Sequence, residues 1–439
     1  MPCNFAPRLR TLKISMRKIW LLGLLIVSML SACDKDNNEV APGERPDERL
    51  NQVLGEYKSQ LVNAEHGWKA TLFPEGGSGY SFLFDFAEND RVVTRSDINA
   101  GAATALESTY RLKAAQRPSL LFDTYTYLHI LADPDATKSG GEWGQGRISD
   151  YEFSFDTVSP DSMVLTGNYN DSRLVLVRAT ADEAENYISR VNEQAQTFEN
   201  INNFTLYFKQ LEVGSQTFDI TVDTDLRNIT FTYNDGSGVR TFTTSYYFTP
   251  EGLTLLQPFV SGNLTITTLQ DLQYNAFRNR ITLTVNGTAA SIEDTAAPAT
   301  VDPQTARAFY NNPPNGAFWR TIDGFTVEGV VDAFNVGSIT NLDIITLYIQ
   351  ASPPYDGLIF WTTDGEFFGP ALRSRITNDG RIVFTYGGDF GTTPEQAAPM
   401  VNATREQLTI PEGYYVIRTG PSTYDLVSAK DGKAWISFQ

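Results

Sequence analysis

The protein has 439 residues, of which 41% are hydrophobic, and its formal net charge is −18 at pH 7. A chain of this length is too long for one ordinary hydrophobic core, so we expect two or three domains. An acidic surface repels phosphate backbones and anionic lipid headgroups, which argues against nucleic acid as a partner.

Residues 16–39 predict a secretory signal. Two cations precede an apolar run over residues 19–30, and the sequence Leu-Ser-Ala-Cys ends the segment at Cys33. The run is about half of the roughly 20 residues that a transmembrane helix needs, so we expect residues 1–32 to be removed. The last four residues resemble a bacterial lipobox, in which Cys33 becomes the lipidated first residue of the mature chain.

Lipidation of Cys33 would anchor the protein to a membrane that the chain itself does not cross, because burying acyl chains stabilises the anchor by about 0.8 kcal/mol per methylene. The acidic stretch from Asp34 to Glu39 resembles the signal that exports Bacteroidetes lipoproteins to the outer face of the outer membrane. We therefore expect a lipid-anchored outer-membrane protein that faces the cell exterior. A lipoprotein that faces the periplasm is the alternative.

Cysteine and histidine are scarce, which limits the chemistry. Cys3 lies upstream of Met16, the better start, so the mature chain keeps one cysteine and that one is acylated. No disulfide or thiol nucleophile is then available. The two histidines, His66 and His129, cannot supply a usual three-ligand zinc site, and we expect structural roles for both.

The first half of the chain predicts a tether and a helix followed by strands. Residues 33–45 are polar and contain proline and glycine, which is typical of a flexible tether. Apolar residues recur at three- and four-residue steps over residues 50–61, which predicts a helix of about 18 residues. Aromatic and polar residues then alternate over 80–86 and 151–156, as in half-buried antiparallel strands. Further strands of this module, residues 46–179, are predicted at 108–113, 120–131, 163–169 and 174–178.

A second helix and a second set of strands follow in residues 180–287. Thr180 and Glu183 have the spacing of a capping box, and one apolar face runs to residue 198. Residues 288–304, rich in Ala, Thr and Pro, predict a linker, and residues 305–439 predict a β-rich C-terminal domain. The fold class is therefore mainly β, a β-rich α+β protein with antiparallel meander sheets or partial barrels and one packed helix per module.

The repeated order of helix and meander indicates a duplication. The strand around Phe82 would correspond to the strand around Phe218, and Tyr110 to Tyr246. Strand-rich chains also match one another by period alone, so the spacing is compatible with unrelated modules.

Three tryptophans beside turn residues are candidate ligand-binding positions: Trp143, Trp319 and Trp361. An exposed indole on a loop can stack on the apolar side of a pyranose, so these residues indicate a sugar-binding surface. The alternative is that they are core residues, which the surroundings favour for Trp319 and Trp361. Trp143 has glycine on both sides in the segment 140–146 and is the strongest of the three.

Catalytic and metal-binding signals are weak. No cofactor is predicted, and no Gly-x-Ser-x-Gly or His-Glu-x-x-His motif occurs. Calcium is the metal that an acidic, histidine-poor surface could bind, but no stretch fits a calcium-binding loop. Paired carboxylates, which are more typical of solvated turns, occur at Asp34 and Asp36, Asp133 and Asp135, and Asp223 and Asp225.

Several segments together resemble a family of Bacteroidetes surface lipoproteins classed as a domain of unknown function. The resemblance rests on Cys33 with its acidic follower and on residues 68–86, 146–153 and 246–253. Members of that family are typically encoded near SusC/SusD-like uptake pairs, sometimes with a zinc-metallohydrolase lipoprotein. The resemblance implies an accessory part in nutrient capture and transfers no catalytic residue; Cys33 is the one position that it carries over.

Three hypotheses follow. The first is a non-catalytic surface lipoprotein that binds a glycan, a peptide or a neighbouring SusC/SusD-like protein. The second is a surface hydrolase acting on glycan or peptide, which needs two carboxylates in a cleft, one of them in an apolar setting. The third is an envelope lipoprotein that supports assembly and binds no small ligand.

Overall fold

The computed structural model describes residues 46–114, 117–321 and 323–439. The predicted signal, Cys33 and the tether lie outside the described residues. The described part is mainly β, as predicted, and forms two closed barrels and a third sheet, all antiparallel. Within these residues, no helix has the length and apolar character needed to cross a bilayer.

The first barrel is an eight-stranded meander that follows helix α1 (Pro46–Val62). Its last strand pairs with its first, with Trp68 opposite Arg178, and this pairing closes the sheet. Alternate side chains fill the interior, including the predicted aromatic run Phe82, Phe84 and Phe86. The strands are β1 (Trp68–Phe73), β2 (Tyr80–Phe86), β3 (Arg91–Ser96), β4 (Leu106–Ala114), β5 (Pro118–Phe122), β6 (Glu152–Val158), β7 (Ser162–Gly167) and β8 (Arg173–Arg178).

The connection between β5 and β6 departs from the predicted strand at 120–131. β5 ends at Phe122, and the chain then forms two short helices, α2 (Tyr127–Ala132) and α3 (Ala136–Ser139). The Nδ1 atom of His129 accepts a hydrogen bond from the backbone N–H of Thr126 at 3.2 Å, which satisfies a free donor at the start of α2. The placement of His129 in a strand was therefore wrong.

The second barrel follows helix α4 (Ala181–Glu199) and has the same meander order. The capping box at its start is confirmed, because Thr180 and Glu183 exchange backbone and side-chain hydrogen bonds. Residues 288–295 of the predicted linker instead form the last strand, which closes the barrel by pairing with the first. The strands are β9 (Phe208–Val213), β10 (Gln216–Asp223), β11 (Asn228–Asn234), β12 (Val239–Thr249), β13 (Gly252–Ser261), β14 (Leu264–Asn275), β15 (Arg280–Val285) and β16 (Thr288–Thr295).

The third sheet follows helix α5 (Pro303–Asn311) and includes helix α6 (Ala398–Leu408) in a connection. Arg320 and Gln439 exchange backbone hydrogen bonds of 2.9 Å, so the sheet returns to its first strand. Its strands are β17 (Phe318–Thr321), β18 (Thr326–Val327), β19 (Leu342–Ser352), β20 (Tyr355–Thr362), β21 (Phe367–Ile376), β22 (Arg381–Gly391), β23 (Tyr414–Arg418), β24 (Tyr424–Ser428) and β25 (Ala434–Phe438).

The modules share internal features. Phe82 and Phe218 lie in the second strands of their barrels, and Tyr110 and Tyr246 lie in the fourth, as a duplication predicts. The first barrel and the third sheet also share a buried tryptophan in the first strand. The indole N–H of Trp68 donates to the carbonyl of Leu61 at 2.9 Å, and that of Trp319 donates to Phe309 at the same distance, so each helix is joined to the strand that follows it.

Candidate functional site

A cleft of about 530 Å³ opens where the first barrel meets the second. Its walls are residues 97–100 after β3, parts of the connection 130–147, the C-terminal half of α4 and the turn 224–227 between β10 and β11. Hairpin connections of an up-and-down barrel alternate between its two ends, so the β3–β4 and β5–β6 connections lie at the same end. The cleft therefore sits at the barrel end where these two connections meet the second barrel.

A buried ion pair between the two barrels forms the floor of the cleft. Nη1 of Arg227 lies 2.9 Å from Oδ2 of Asp97 and also donates to the carbonyl of Gly79 at 2.8 Å. The guanidinium carbon lies 4.4 Å from the ring centre of Tyr80. Burial alone would lower the pKa of Arg227, but the negative charge of Asp97 raises it, so the guanidinium stays charged. This pair fixes the barrels against each other at the cleft.

Two buried polar atoms of the cleft have no hydrogen-bond partner among the residues that the structure describes. They are Oη of Tyr80, a residue only 3% exposed, and Nδ2 of Asn192 on α4. Leaving a buried donor unpaired costs about 1–3 kcal/mol, so such atoms call for a partner. Both can donate a hydrogen bond, and both belong to residues that line the cleft.

The rim of the cleft carries charges of both signs. Arg147 donates from Nη2 to the carbonyl of Asp225 at 2.8 Å and from Nε to Ser139 at 3.0 Å, which links the β5–β6 connection to the second barrel. Lys138 is exposed beside it, and Glu199 is exposed at the end of α4. The cleft thus offers donors at its floor and both donors and acceptors at its rim.

Glycines shape the wall that the β5–β6 connection contributes. Gly146 has a φ of +61°, and a Cβ there would lie 2.7 Å from the carbonyl oxygen of Asp133. A Cβ on Gly141 would lie 2.0 Å from the carbonyl oxygen of Gly146. A side chain at either position would force the backbone apart, so the glycine-rich segment is needed for this compact turn.

The three predicted tryptophans do not form one site. Trp143 is 71% exposed on the connection that lines the cleft. Trp319 is 2% exposed and stacks on Phe309 in the core below the third sheet, which agrees with the core alternative favoured for it. Trp361 is half-buried on the same sheet, where its Nε1 donates to Oγ1 of Thr346 at 2.8 Å.

The predicted carboxylate pairs that the structure describes serve turns and helix ends. Asp135 caps α3 by accepting from the N–H of Thr137, and Asp223 accepts from the N–H of Leu226. Asp133 accepts from the hydroxyl of Tyr125 at 2.7 Å. Across residues 46–114, 117–321 and 323–439, no group of three His, Cys, Asp or Glu side chains is arranged to hold a metal ion. Asp34 and Asp36 lie outside the described residues.

His129 has a structural environment. Burial lowers its pKa, although the carbonyl of Phe122 and the charge of Asp123 act in the opposite direction. The ring is therefore neutral near pH 7, consistent with its role as a hydrogen-bond acceptor at the start of α2.

No sequence pattern indicated the residues of the cleft floor. Tyr80, Asp97, Asn192 and Arg227 come from four separate elements, and no local motif joins them. A partial signal was the length of the β5–β6 connection, since long connections in compact domains often carry function.

A family model described as a domain of unknown function, DUF4302, matches residues 42–275, more than half of the chain. The chain belongs to this family. All residues of the cleft lie within the DUF4302 match, which ends with β14, before the last two strands of the second barrel.

No curated protein matches the chain. Among solved structures, an NMR structure of a protein from Burkholderia xenovorans is 16% identical, and the match covers 34% of this chain and 93% of that one, with a TM-score of 0.23.

Proposed function

We propose that this protein is a non-catalytic binding lipoprotein of the bacterial outer-membrane surface, which holds a sugar in the cleft and serves a SusC/SusD-like nutrient uptake system. The observation that supports binding is the pair of buried, unpartnered donors at the cleft, Tyr80 Oη and Asn192 Nδ2. The anchor and the address rest on the lipobox at Cys33.

The composition of the cleft favours a neutral, polyhydroxylated ligand. Sugar hydroxyls both donate and accept, so they can use the donors at the floor together with the carboxylates of Asp225 and Glu199 at the rim. The charge of Arg227 is balanced by Asp97, which reduces the attraction for an anion. A volume of about 530 Å³ lies in the range of small-molecule sites.

The same groups argue against hydrolysis. A hydrolase of glycans needs two available carboxyl groups on either side of the bond that is cleaved. Asp97 is the buried carboxylate of the cleft, and it already accepts hydrogen bonds from Arg227 and from the N–H of Ser81 at 2.7 Å. We therefore expect a bound sugar to be released unchanged.

Titration calorimetry with a panel of mono- and disaccharides tests the binding. We expect Tyr80→Phe to weaken the sugar that binds wild type about tenfold, which corresponds to about 1.4 kcal/mol for one lost hydrogen bond. Tyr386→Phe is the matched control, since Tyr386 donates to Asp389 on the third sheet, away from the cleft walls. Absence of binding across the panel, or cleavage of the bound sugar, would contradict the proposal.

Four measurements in the native host test the remaining parts. Mass spectrometry should find acyl chains on Cys33, and Cys33→Ala should release the protein from the membrane. Protease treatment of whole cells should degrade it, and it should co-purify with a SusC/SusD-like pair. An unmodified Cys33 would refute the anchor, and a full-length protein after protease treatment would refute the outer-face location.

A further inference from the structure

Three rings form a stack on the first barrel, beside the cleft. The His129 ring lies 4.4 Å from the ring centre of Tyr151 and 5.6 Å from that of Tyr125, with interplanar angles of 23° and 28°. We call Tyr125, His129 and Tyr151 the aromatic stack. All three residues belong to the β5–β6 connection, whose other parts form a wall of the cleft.

The outer rings of the aromatic stack are accessible. Tyr125 is 54% exposed and Tyr151 is 38% exposed, whereas the aromatic side chains inside the first barrel are almost fully buried. Packing on His129 covers one face of each tyrosine ring. More than half of Tyr125 thus stays accessible to a ligand despite its packing on His129.

Tyr125 is held in position. Its hydroxyl donates to Oδ2 of Asp133 at 2.7 Å, and Oδ1 of Asp133 accepts from the N–H of Asp135 at 2.9 Å. A ring fixed at both its face and its hydroxyl loses little conformational freedom when a ligand packs against it, so binding there costs little entropy.

The aromatic stack is continuous with the cleft. Asp133 Oδ2, which accepts from Tyr125, lies 3.7 Å from Nζ of Lys138, and Lys138 lines the cleft. Helix α2 carries His129 in the stack and, at the next two positions, Ile130 and Leu131 on the cleft wall. The stack and the cleft wall therefore share helix α2 and the contact between Asp133 and Lys138.

We propose that the aromatic stack is a second sugar subsite, so that the protein binds an oligosaccharide with one end in the cleft and a later pyranose packed on the ring of Tyr125. This inference rests on the proposed function and adds the class of ligand, an oligosaccharide instead of a single sugar. The apolar C–H face of a pyranose packs on an aromatic ring, and its hydroxyls remain in water. The acidic surface of the chain disfavours a nucleic-acid base as the stacking partner.

The test compares a monosaccharide with a tetrasaccharide of the same unit by calorimetry, using full-length protein. For wild type we expect the tetrasaccharide to bind at least fivefold more tightly. Tyr125→Ala should remove this gain and leave the monosaccharide affinity within about twofold, because the ring that packs on the later pyranose is lost while the cleft is unchanged. Tyr125→Phe keeps the ring and should keep the gain, which separates stacking from the hydrogen bond to Asp133.

The matched control is Tyr386→Ala, the same substitution at an exposed tyrosine of the third sheet. It should preserve the tighter binding of the tetrasaccharide. Circular dichroism of each variant checks folding, and the monosaccharide affinity of Tyr125→Ala reports an intact cleft. Equal affinity of wild type for both lengths, or an undiminished gain in Tyr125→Ala, would overturn the second subsite and leave the cleft in place. No binding of any sugar would overturn both proposals.

Discussion

The second barrel has two neighbours in the chain, and the two junctions are built differently. At the junction with the first barrel, Arg227 reaches across to Asp97 and the space around the pair stays open as the cleft. At the junction with the third sheet, Tyr207 reaches across to Asp425, and its hydroxyl donates to Oδ2 at 2.7 Å. Each junction thus contains a hydrogen bond to a carboxylate. Asp97 at the first junction is buried, and Asp425 at the second is half-buried.

Aromatic rings fill the junction with the third sheet. Tyr207 packs edge-on against Trp435 with ring centres 5.4 Å apart, and Phe208 packs in the same way on Tyr415 at 5.7 Å. A backbone hydrogen bond of 2.9 Å from Tyr207 to Gly432 adds to the contact. The difference shows that one junction is closed by aromatic packing, whereas the other leaves two buried donors without a partner among the described residues. Equivalent substitutions at the two junctions should therefore change the free energy of unfolding by unequal amounts.

The largest effect is expected at the buried ion pair. Arg227→Met should destabilise the protein by about 3–5 kcal/mol, because it leaves Asp97 buried without its positive partner. Urea unfolding of the variant measures this loss. Arg240→Met is the control, since its pair with Asp235 is exposed and should contribute little to stability. Equal losses in the two variants would show that the first junction does not depend on the ion pair.

A smaller effect is expected at the closed junction. Tyr207→Phe removes the donor to Asp425 and leaves a half-buried carboxylate without that bond, which should cost about 1–3 kcal/mol. The change in the urea midpoint reports the loss. An unchanged midpoint would mean that the ring contacts with Trp435 suffice to hold the junction.

The closed junction should also respond to pH. Burial raises the pKa of Asp425, although hydrogen bonds from Ser437 and Tyr207 act in the opposite direction. Since the folded pKa lies above the unfolded value of about 3.9, the folded state binds the proton more tightly, and stability falls as pH rises from about 4 through the folded pKa. We expect Asp425→Asn to lose this dependence. Parallel pH profiles of urea unfolding for wild type and the variant would refute this assignment.

The smallest effect on stability is expected from Tyr80→Phe in the cleft. At Tyr80 the substitution removes a hydroxyl that has no hydrogen-bond partner among the described residues. In contrast to Tyr207→Phe, the free energy of unfolding should therefore fall by less than about 0.5 kcal/mol, or rise. Thermal unfolding without ligand measures this. A loss comparable to that of Tyr207→Phe would show that Tyr80 Oη stabilises the fold and is not kept for a ligand.

Local patterns predicted a strand well where the burial of one of its faces sets the alternation of its residues. The aromatic residues of β2 alternate because they fill the first barrel, and this alternation predicted the strand. Ser81 and Leu83 on the opposite side are also buried, since helix α4 and the second barrel cover them. The alternation of one strand carries no information about a neighbour that packs on its outer face.

The candidate site was harder to predict for the same reason. Trp143 lies on the connection beside the cleft, and its exposed position follows from the glycines around it. The floor brings together Tyr80, Asn192 and Arg227, and more than a hundred positions of sequence separate the first of these residues from the last. Only the packing of two modules makes them neighbours, and no spacing within one element could indicate that.

Each barrel is closed by a pairing between distant parts of the chain. Trp68 pairs with Arg178, and Phe208 pairs with Thr295, whereas the other strand pairs of the two barrels join strands that are consecutive in the chain, most of them through short hairpins. Hairpins bring together nearby residues at a low entropic cost, and the closing pairs must bring together residues about 90–110 positions apart. During synthesis, a chain that has not yet produced β8 therefore presents two unpaired edges, and a chaperone that shields such edges would act in that interval.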